Sequence, residues 1–280
     1  MPGNVTFADR SLTVHGQRFH LTDWGPANGP TVLLLHGVTG HARTWDHEAA
    51  ALAGRFHVIA LDQRGHGDSD PAPDGDYTLT TLAGDIAAVV DALGLTRFSL
   101  VGLSLGGRVA IVHAALHPEW VERLMVVDIG PDIAAAGRTR VGSMMARSPE
   151  RFASVEDAIA QARASNPRYV DALLRERVTH GLRRLPDGGY TWKYDRAIRD
   201  AVRNGRWRED LDVWPLWASV RCPTFIVRGA ESDVLSPEIA KQMVDARPQA
   251  RLVEIAGAGH TVPGDQPAQF LEVLRTFLAA

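Results

Sequence analysis

The sequence predicts an α/β protein built on a mostly parallel, doubly wound sheet with helices on both faces. Three observations predict it. Thr31-Val32-Leu33-Leu34-Leu35 and residues 56–61 are continuous apolar runs without polar alternation, the pattern of strands buried on both faces. Such runs alternate along the chain with segments of helical periodicity, residues 80–93 being the clearest. Finally, residues 98–107 pass from an aromatic and β-branched run through the glycine-flanked Ser104 into the apolar helical composition of residues 108–116.

Taken in order, residues 5–7, 12–14 and 18–21 read as short strands of an N-terminal β-meander. Gly25-Pro26-Ala27-Asn28-Gly29-Pro30 is turn chemistry that releases the first buried strand, and His36-Gly37-Val38-Thr39-Gly40 ends that strand abruptly. A helix over residues 44–52 precedes the second buried strand. The polar loop Asp62-Gln63-Arg64-Gly65-His66-Gly67-Asp68-Ser69 closes this strand, and the helix over 80–93 stops at Gly94. After the Ser104 turn and its helix, Leu124-Met125-Val126-Val127 is a further strand. From Pro131 the alternation breaks. Residues 131–218 contain helical stretches such as 155–164 and 169–180, no convincing buried strand, and four of the seven tryptophans, Trp192, Trp207, Trp214 and Trp217. This is read as a helical lid over the sheet. The core is therefore expected at 1–130 plus 219–280 and the lid at 131–218. Strands resume at 224–229 and 252–255. Ser236-Pro237 supplies an N-cap and first-turn proline for the intervening helix, and residues 266–278 form the closing helix.

Composition narrows the function. The 280 residues are 45% hydrophobic and 22% charged, with a net charge of −3. That balance predicts a folded protein and lacks the clustered basic excess of a nucleic-acid binder. No apolar stretch approaches eighteen residues and the first ten residues lack the apolar segment of a secretory signal, so a cytoplasmic protein without a membrane anchor is expected. The one cysteine, Cys222, has no intrachain partner. Neither H-E-x-x-H, paired C-x-x-C nor a phosphate loop is present, so no metal or nucleotide cofactor is expected. Oligomeric state is not readable.

The chemistry converges on Gly102-Leu103-Ser104-Leu105-Gly106. A G-x-S-x-G turn between strand and helix lifts a serine clear of the sheet, and the glycines remove side chains that would collide with neighbouring backbone. A serine hydroxyl needs a base, and an imidazole titrating near neutrality can take its proton and return it to a leaving group. His260, on the glycine-rich loop after the last strand, is the chosen base. An acid must hold the imidazole tautomer. The candidates are Asp233 and Glu231, in the acidic turn after the strand at 224–229, and Asp128, at the end of the strand after the serine helix.

Together, His36-Gly37, the Asp62 loop, the Ser104 turn, Asp233 and Gly259-His260 span nearly the whole chain. With them the sequence resembles the α/β-hydrolase fold superfamily, specifically its serine-nucleophile members with a helical cap. The resemblance favours Asp233 as the acid, with Asp128 the rival because some members place the acid there and Glu231 third, and it implies an oxyanion hole from the backbone amides of Val38 and Leu105, supported by His36, Gly37, Gly102 and Gly106. It implies a cofactor-free hydrolase acting on a small acyl substrate, an ester or lactone, with water. The same triad also serves C–C bond hydrolysis of β-diketone-like compounds and perhydrolysis. A small-molecule receptor that keeps the fold is the reading from another class.

Overall fold

In the computed structural model, which describes residues 7–203 and 210–279, the chain opens with a hairpin. Strand β1 (Phe7–Val14) pairs antiparallel with β2 (Gln17–Trp24) through His15-Gly16, both at positive φ (52° and 77°). A two-residue hairpin turn of this hand requires that conformation. The expected strands at 7 and at 12–14 are thus one strand, whose intervening polar residues face solvent at the sheet edge. Val5 and Thr6 lie outside the described residues. β3 (Thr31–Leu35) leads to α1 (Asp46–Leu52), β4 (His57–Leu61), α2 (Leu79–Ala92), β5 (Phe98–Leu103), α3 (Leu105–Leu116) and β6 (Val121–Val127).

The inserted segment carries α4 (Ala135–Arg147), α5 (Val155–Ser165), α6 (Asp171–His180), a small hairpin of β7 (Leu182–Arg184) and β8 (Tyr190–Trp192), and α7 (Arg196–Arg203). The hairpin corrects the all-helical expectation. It was hidden because each strand is three residues long and its pairing is closed by Asp187 and Gly188. α8 (Val213–Ser219) follows, then β9 (Thr224–Gly229), α9 (Pro237–Ala246), β10 (Arg251–Ile255), the short α10 (Val262–Asp265) and α11 (Pro267–Ala279). Although α8 was expected in the lid, Val213 and Trp217 are buried in the main core, and the Trp217 indole donates to the Met243 carbonyl at 2.9 Å. Trp207 lies outside the described residues.

The main sheet has eight strands in the order β1-β2-β4-β3-β5-β6-β9-β10, and every pair from β4 onward is parallel. Alternation along each strand divides two cores. Leu33, Leu35, Ile59, Leu61 and Leu100 face the side covered by α2, α3, α8 and α9. Val32, Leu34, Val58, Ala60 and Val101 face α1 and α11. With both faces covered, side chains that need water or a ligand are left only the strand ends. Among the described residues no helix is long and apolar enough to cross a membrane.

Candidate active site

β5 ends in a turn that local sterics dictate. Ser104 takes φ 54° and ψ −119°, a strained region for a residue with a side chain. Any Cβ at Gly102 would stand 2.2 Å from the Gly106 carbonyl, and one at Gly106 would stand 2.5 Å from the Leu35 carbonyl. The helix can therefore fold back across β3 and β5 only with glycine at both positions. The amides of Ser104 and Gly106 donate to Val127 and His36 carbonyls at 3.0 and 3.1 Å, tying the turn to both neighbouring strands.

His260, on the loop after β10, stands with Nε2 3.0 Å from Ser104 Oγ and Nδ1 2.8 Å from Asp128 Oδ2. Because a carboxylate only accepts, Nδ1 carries the proton and Nε2 offers its lone pair to the serine hydroxyl. Asp265 holds this loop, accepting from the Gly259 amide and the Thr261 hydroxyl, each at 2.8 Å. Asp128 is fully buried and has φ 49°. Besides His260, it accepts from the Gly229 amide at 2.8 Å and from the Ser232 hydroxyl.

Asp233, the preferred acid, is not brought to His260, and its place is taken by Asp128. In the turn after β9, Ser232 points inward to Asp128, whereas Asp233 points out to the inserted segment and accepts from Arg140 Nε at 2.6 Å. Partial burial works to raise the Asp233 carboxyl, but the hydrogen bond and charge of Arg140 carry it below the ordinary carboxylate value. Glu231 likewise pairs with Arg168 of the inserted segment.

The loop after β3 faces Ser104 from the other side. Leu105 opens α3, so its amide has no intrahelical acceptor. The Gly37 carbonyl accepts from His36 Nδ1 and from the Gly40 amide, both at 2.8 Å. In a trans peptide this aims the Val38 N–H the opposite way, and among the described residues that amide has no acceptor. Gly37 lies over the serine: a Cβ there would stand 3.2 Å from Ser104 Cβ. His36 is also an acceptor, taking the Gln63 amide on Nε2 at 3.1 Å. Burial, with the neighbouring His66, holds His36 down to about 3, so it remains neutral in the one tautomer that serves both bonds. The Asp62 loop that the sequence singled out is thus scaffolding. Asp62 accepts from His20 Nδ1 and the Ala42 and Asp68 amides, and these bonds overcome burial to bring its carboxyl down to about 2.

A strained, glycine-flanked serine, a histidine and a buried aspartate thus stand in a hydrogen-bonded line beyond the strand ends, the geometry that a nucleophile, a base and an acid would require. The family model of the alpha/beta hydrolase fold matches residues 30–267. The chain belongs to the alpha/beta hydrolase fold family. Among its relatives, 2-(acetamidomethylene)succinate hydrolase of Mesorhizobium japonicum is 28% identical over 253 residues, covering 90% of this chain and 89% of that protein. An esterase of Mycobacterium tuberculosis is 30% identical over 263 residues, covering 91% and 84%. The crystal structure of E-2-(acetamidomethylene)succinate hydrolase matches with a TM-score of 0.90 at 27% identity, over 98% of this chain and 100% of that one. The protein is a hydrolase of this family.

As in many α/β folds, the cavity opens at the carboxyl ends of the strands. A cavity of about 110 Å³ lies between Ser104 and the inserted segment, lined by Val38, Met144, Tyr169, Arg177, Trp192 and Tyr194 among others. His41 also lines it, donating from Nε2 to the Arg177 carbonyl at 2.8 Å. Sequence reasoning did not single out Ser232, Asp265, Arg140 or Arg177. Ser232 and Asp265 sit beside residues already named, and their proximity in sequence is the only signal that could have found them. The arginines carried no signal, being two of many basic residues in 131–218.

Proposed function

We propose that this hydrolase is a serine enzyme that cleaves an ester, lactone or similar acyl bond of a small molecule through an acyl-enzyme on Ser104, without a cofactor. The observation that carries the reading is the pair of distances on His260, 3.0 Å to Ser104 Oγ and 2.8 Å to Asp128 Oδ2. Ser104 Oγ attacks the carbonyl carbon while its proton passes to His260 Nε2. Asp128 holds the imidazole in its tautomer and stabilises the imidazolium, as such an acid does elsewhere. The Leu105 and Val38 amides stabilise the oxyanion, a contribution of about 10²–10³ in turnover for one donor. Collapse of the tetrahedral intermediate breaks the acyl bond, and His260 protonates the departing oxygen. Water then attacks the acyl-enzyme, giving its proton to His260, and the acid product leaves with Ser104 restored.

In this reading the inserted segment after Pro131 acts as a cap that encloses the substrate and excludes bulk water. The relatives' names, a hydrolase and an esterase, support the reaction class. The test is Ser104→Ala assayed with short p-nitrophenyl esters, alongside covalent labelling of the parent protein by a fluorophosphonate. Turnover should fall by about 10⁴-fold or more, and the label should map to Ser104. Undiminished turnover in a folded variant would remove the mechanism.

A further inference from the structure

The charges lining the cavity are unbalanced. Two guanidiniums, Arg140 and Arg177, border it, and among the described residues no carboxylate does. Arg140 is answered by Asp233 just outside. Arg177 is not. Its Nη2 donates to the neutral Thr39 hydroxyl at 3.1 Å, and its guanidinium lies over the Tyr169 ring, 5.7 Å from the centroid. Among the described residues it has no ion pair.

The other acids near α6 do not serve as its partner. Asp46, Glu48 and Glu176 share a separate small recess with Arg177. Asp46 accepts from Arg43 Nε at 2.5 Å. Burial pushes the Glu48 carboxyl up to about 8, so at neutral pH it is mostly uncharged. Arg177 is also held in place. Its carbonyl accepts from His41, and Thr39 belongs to the same loop as Val38, so the guanidinium is fixed relative to the proposed oxyanion site. A guanidinium presents five donors in a planar fork, and Thr39 occupies one of them. The surface of the cavity that holds both Arg177 and Ser104 is largely apolar, with Met144, Val178 and Trp192 among its lining.

We infer that the substrate carries a carboxylate, separated by a short apolar stretch from its scissile carbonyl, and that Arg177 binds that carboxylate. This inference rests on the serine-hydrolase reading and adds the substrate class to it. A planar carboxylate matches the free edge of the fork, and an ion pair formed in a cavity closed by the cap is screened less than one on the surface. Arg177 is then a specificity residue. Its side chain touches the substrate at a point remote from the reacting carbonyl.

The experiment compares monoethyl with diethyl esters of succinate, glutarate and adipate, following ethanol release. The parent protein should favour the charged monoester of at least one chain length. In Arg177→Gln the kcat/KM ratio of that monoester to its diester should fall about 10- to 100-fold, the value of one charge-assisted contact. The loss should fall mainly in KM, and Arg177→Lys should recover part of it, keeping the charge without the fork. A ratio that does not move, or no preference for any monoester, overturns the inference. A second measurement separates it from the mechanism. Ser104→Ala, titrated calorimetrically with the same monoester, should bind it 10- to 100-fold more tightly than Ser104→Ala with Arg177→Gln. If no ester is hydrolysed and Ser104 takes no fluorophosphonate, the mechanism fails while this difference in Kd still decides the carboxylate site. Equal Kd values would discard the site even if Ser104 proves reactive.

Discussion

Asp128 and Asp233 stand at the ends of neighbouring parallel strands, β6 and β9, and their surroundings differ in every respect that matters. Asp128 follows the last residue of its strand, is closed to solvent, and accepts from the Gly229 amide, the Ser232 hydroxyl and His260. Asp233 lies four residues beyond its strand, its side chain is about a third exposed, and it faces one arginine of the inserted segment. A carboxylate that must hold an imidazole in one orientation needs donors on its remaining lone pairs and no competing water. Only the first region provides that. The second joins sheet to inserted segment through charges that water can reach.

The largest test of this difference removes one negative charge from each region. Asp128→Asn should lower kcat by about 10⁴-fold, because an amide facing Nδ1 favours the wrong tautomer. Asp233→Asn should change kcat by less than about tenfold, the effect of roughly 1.4 kcal/mol. Steady-state kinetics on one ester with both variants decides it, and a reversed ranking would reassign the acid. The loop facing the serine offers the next largest effect. His36→Ala frees the Gly37 carbonyl from its side-chain donor and the Gln63 amide from its acceptor, so the Val38 peptide is no longer fixed. A misplacement of about 1 Å costs about 10²-fold, and kcat should fall by that order with circular dichroism unchanged.

The sequence made the frame legible and left the acid ambiguous, for a physical reason. The Ser104 turn demands glycine at two close approaches and a strand-to-helix reversal, so its pattern is written in consecutive residues. His260 sits on a loop whose glycines and last-strand position are equally local. The acid is set instead by which of two neighbouring strand ends points at the imidazole, a property of the turn after β9. There the inward residue is Ser232 and the outward one Asp233. One residue of phase in that turn decides the matter, and composition does not encode it. The inserted segment was legible as a break in the alternation, but its three-residue strands were too short to show a period. α8 read as part of it because its tryptophans resemble lid aromatics until Trp217 is seen buried against Met243.

Acid should strain the buried interior through its imidazoles. Burial holds His36, His41 and His113 down to about 3, 4 and 3, against about 6.5 in an unfolded chain. At these three sites the unfolded state therefore binds more protons between pH 6.5 and 4, and their contribution to stability falls as pH falls, outweighing the opposite contribution of the raised Glu48 carboxyl. At pH 5 each imidazole withholds on the order of 2 kcal/mol. Urea midpoints at pH 7 and pH 5 should show the drop, and His113→Leu should make the profile shallower. A midpoint independent of pH across this range would contradict the buried, neutral assignment.

The smallest effect belongs to the contact between Asp233 and Arg140, and its smallness is informative. Both side chains are about a third exposed, at 34% and 37%, and an exposed ion pair of this kind contributes about 0–1 kcal/mol. The Asp233 carboxyl is held below its ordinary value, so its share of stability is present above the unfolded carboxylate range and is lost as pH falls through the folded value. Arg140→Gln at pH 7 should therefore lower Tm by no more than about 2–4 °C, and 1 M salt, with a Debye length of about 3 Å, should shrink the difference. The same substitution removes the only counter-charge to Asp233 in that pair without touching the donors around Asp128. Turnover should accordingly stay within about tenfold of the parent. A larger loss would mean that the outward aspartate, or the arginine it faces, takes part in the chemistry, and the contrast between the two strand ends would have to be redrawn around Arg140.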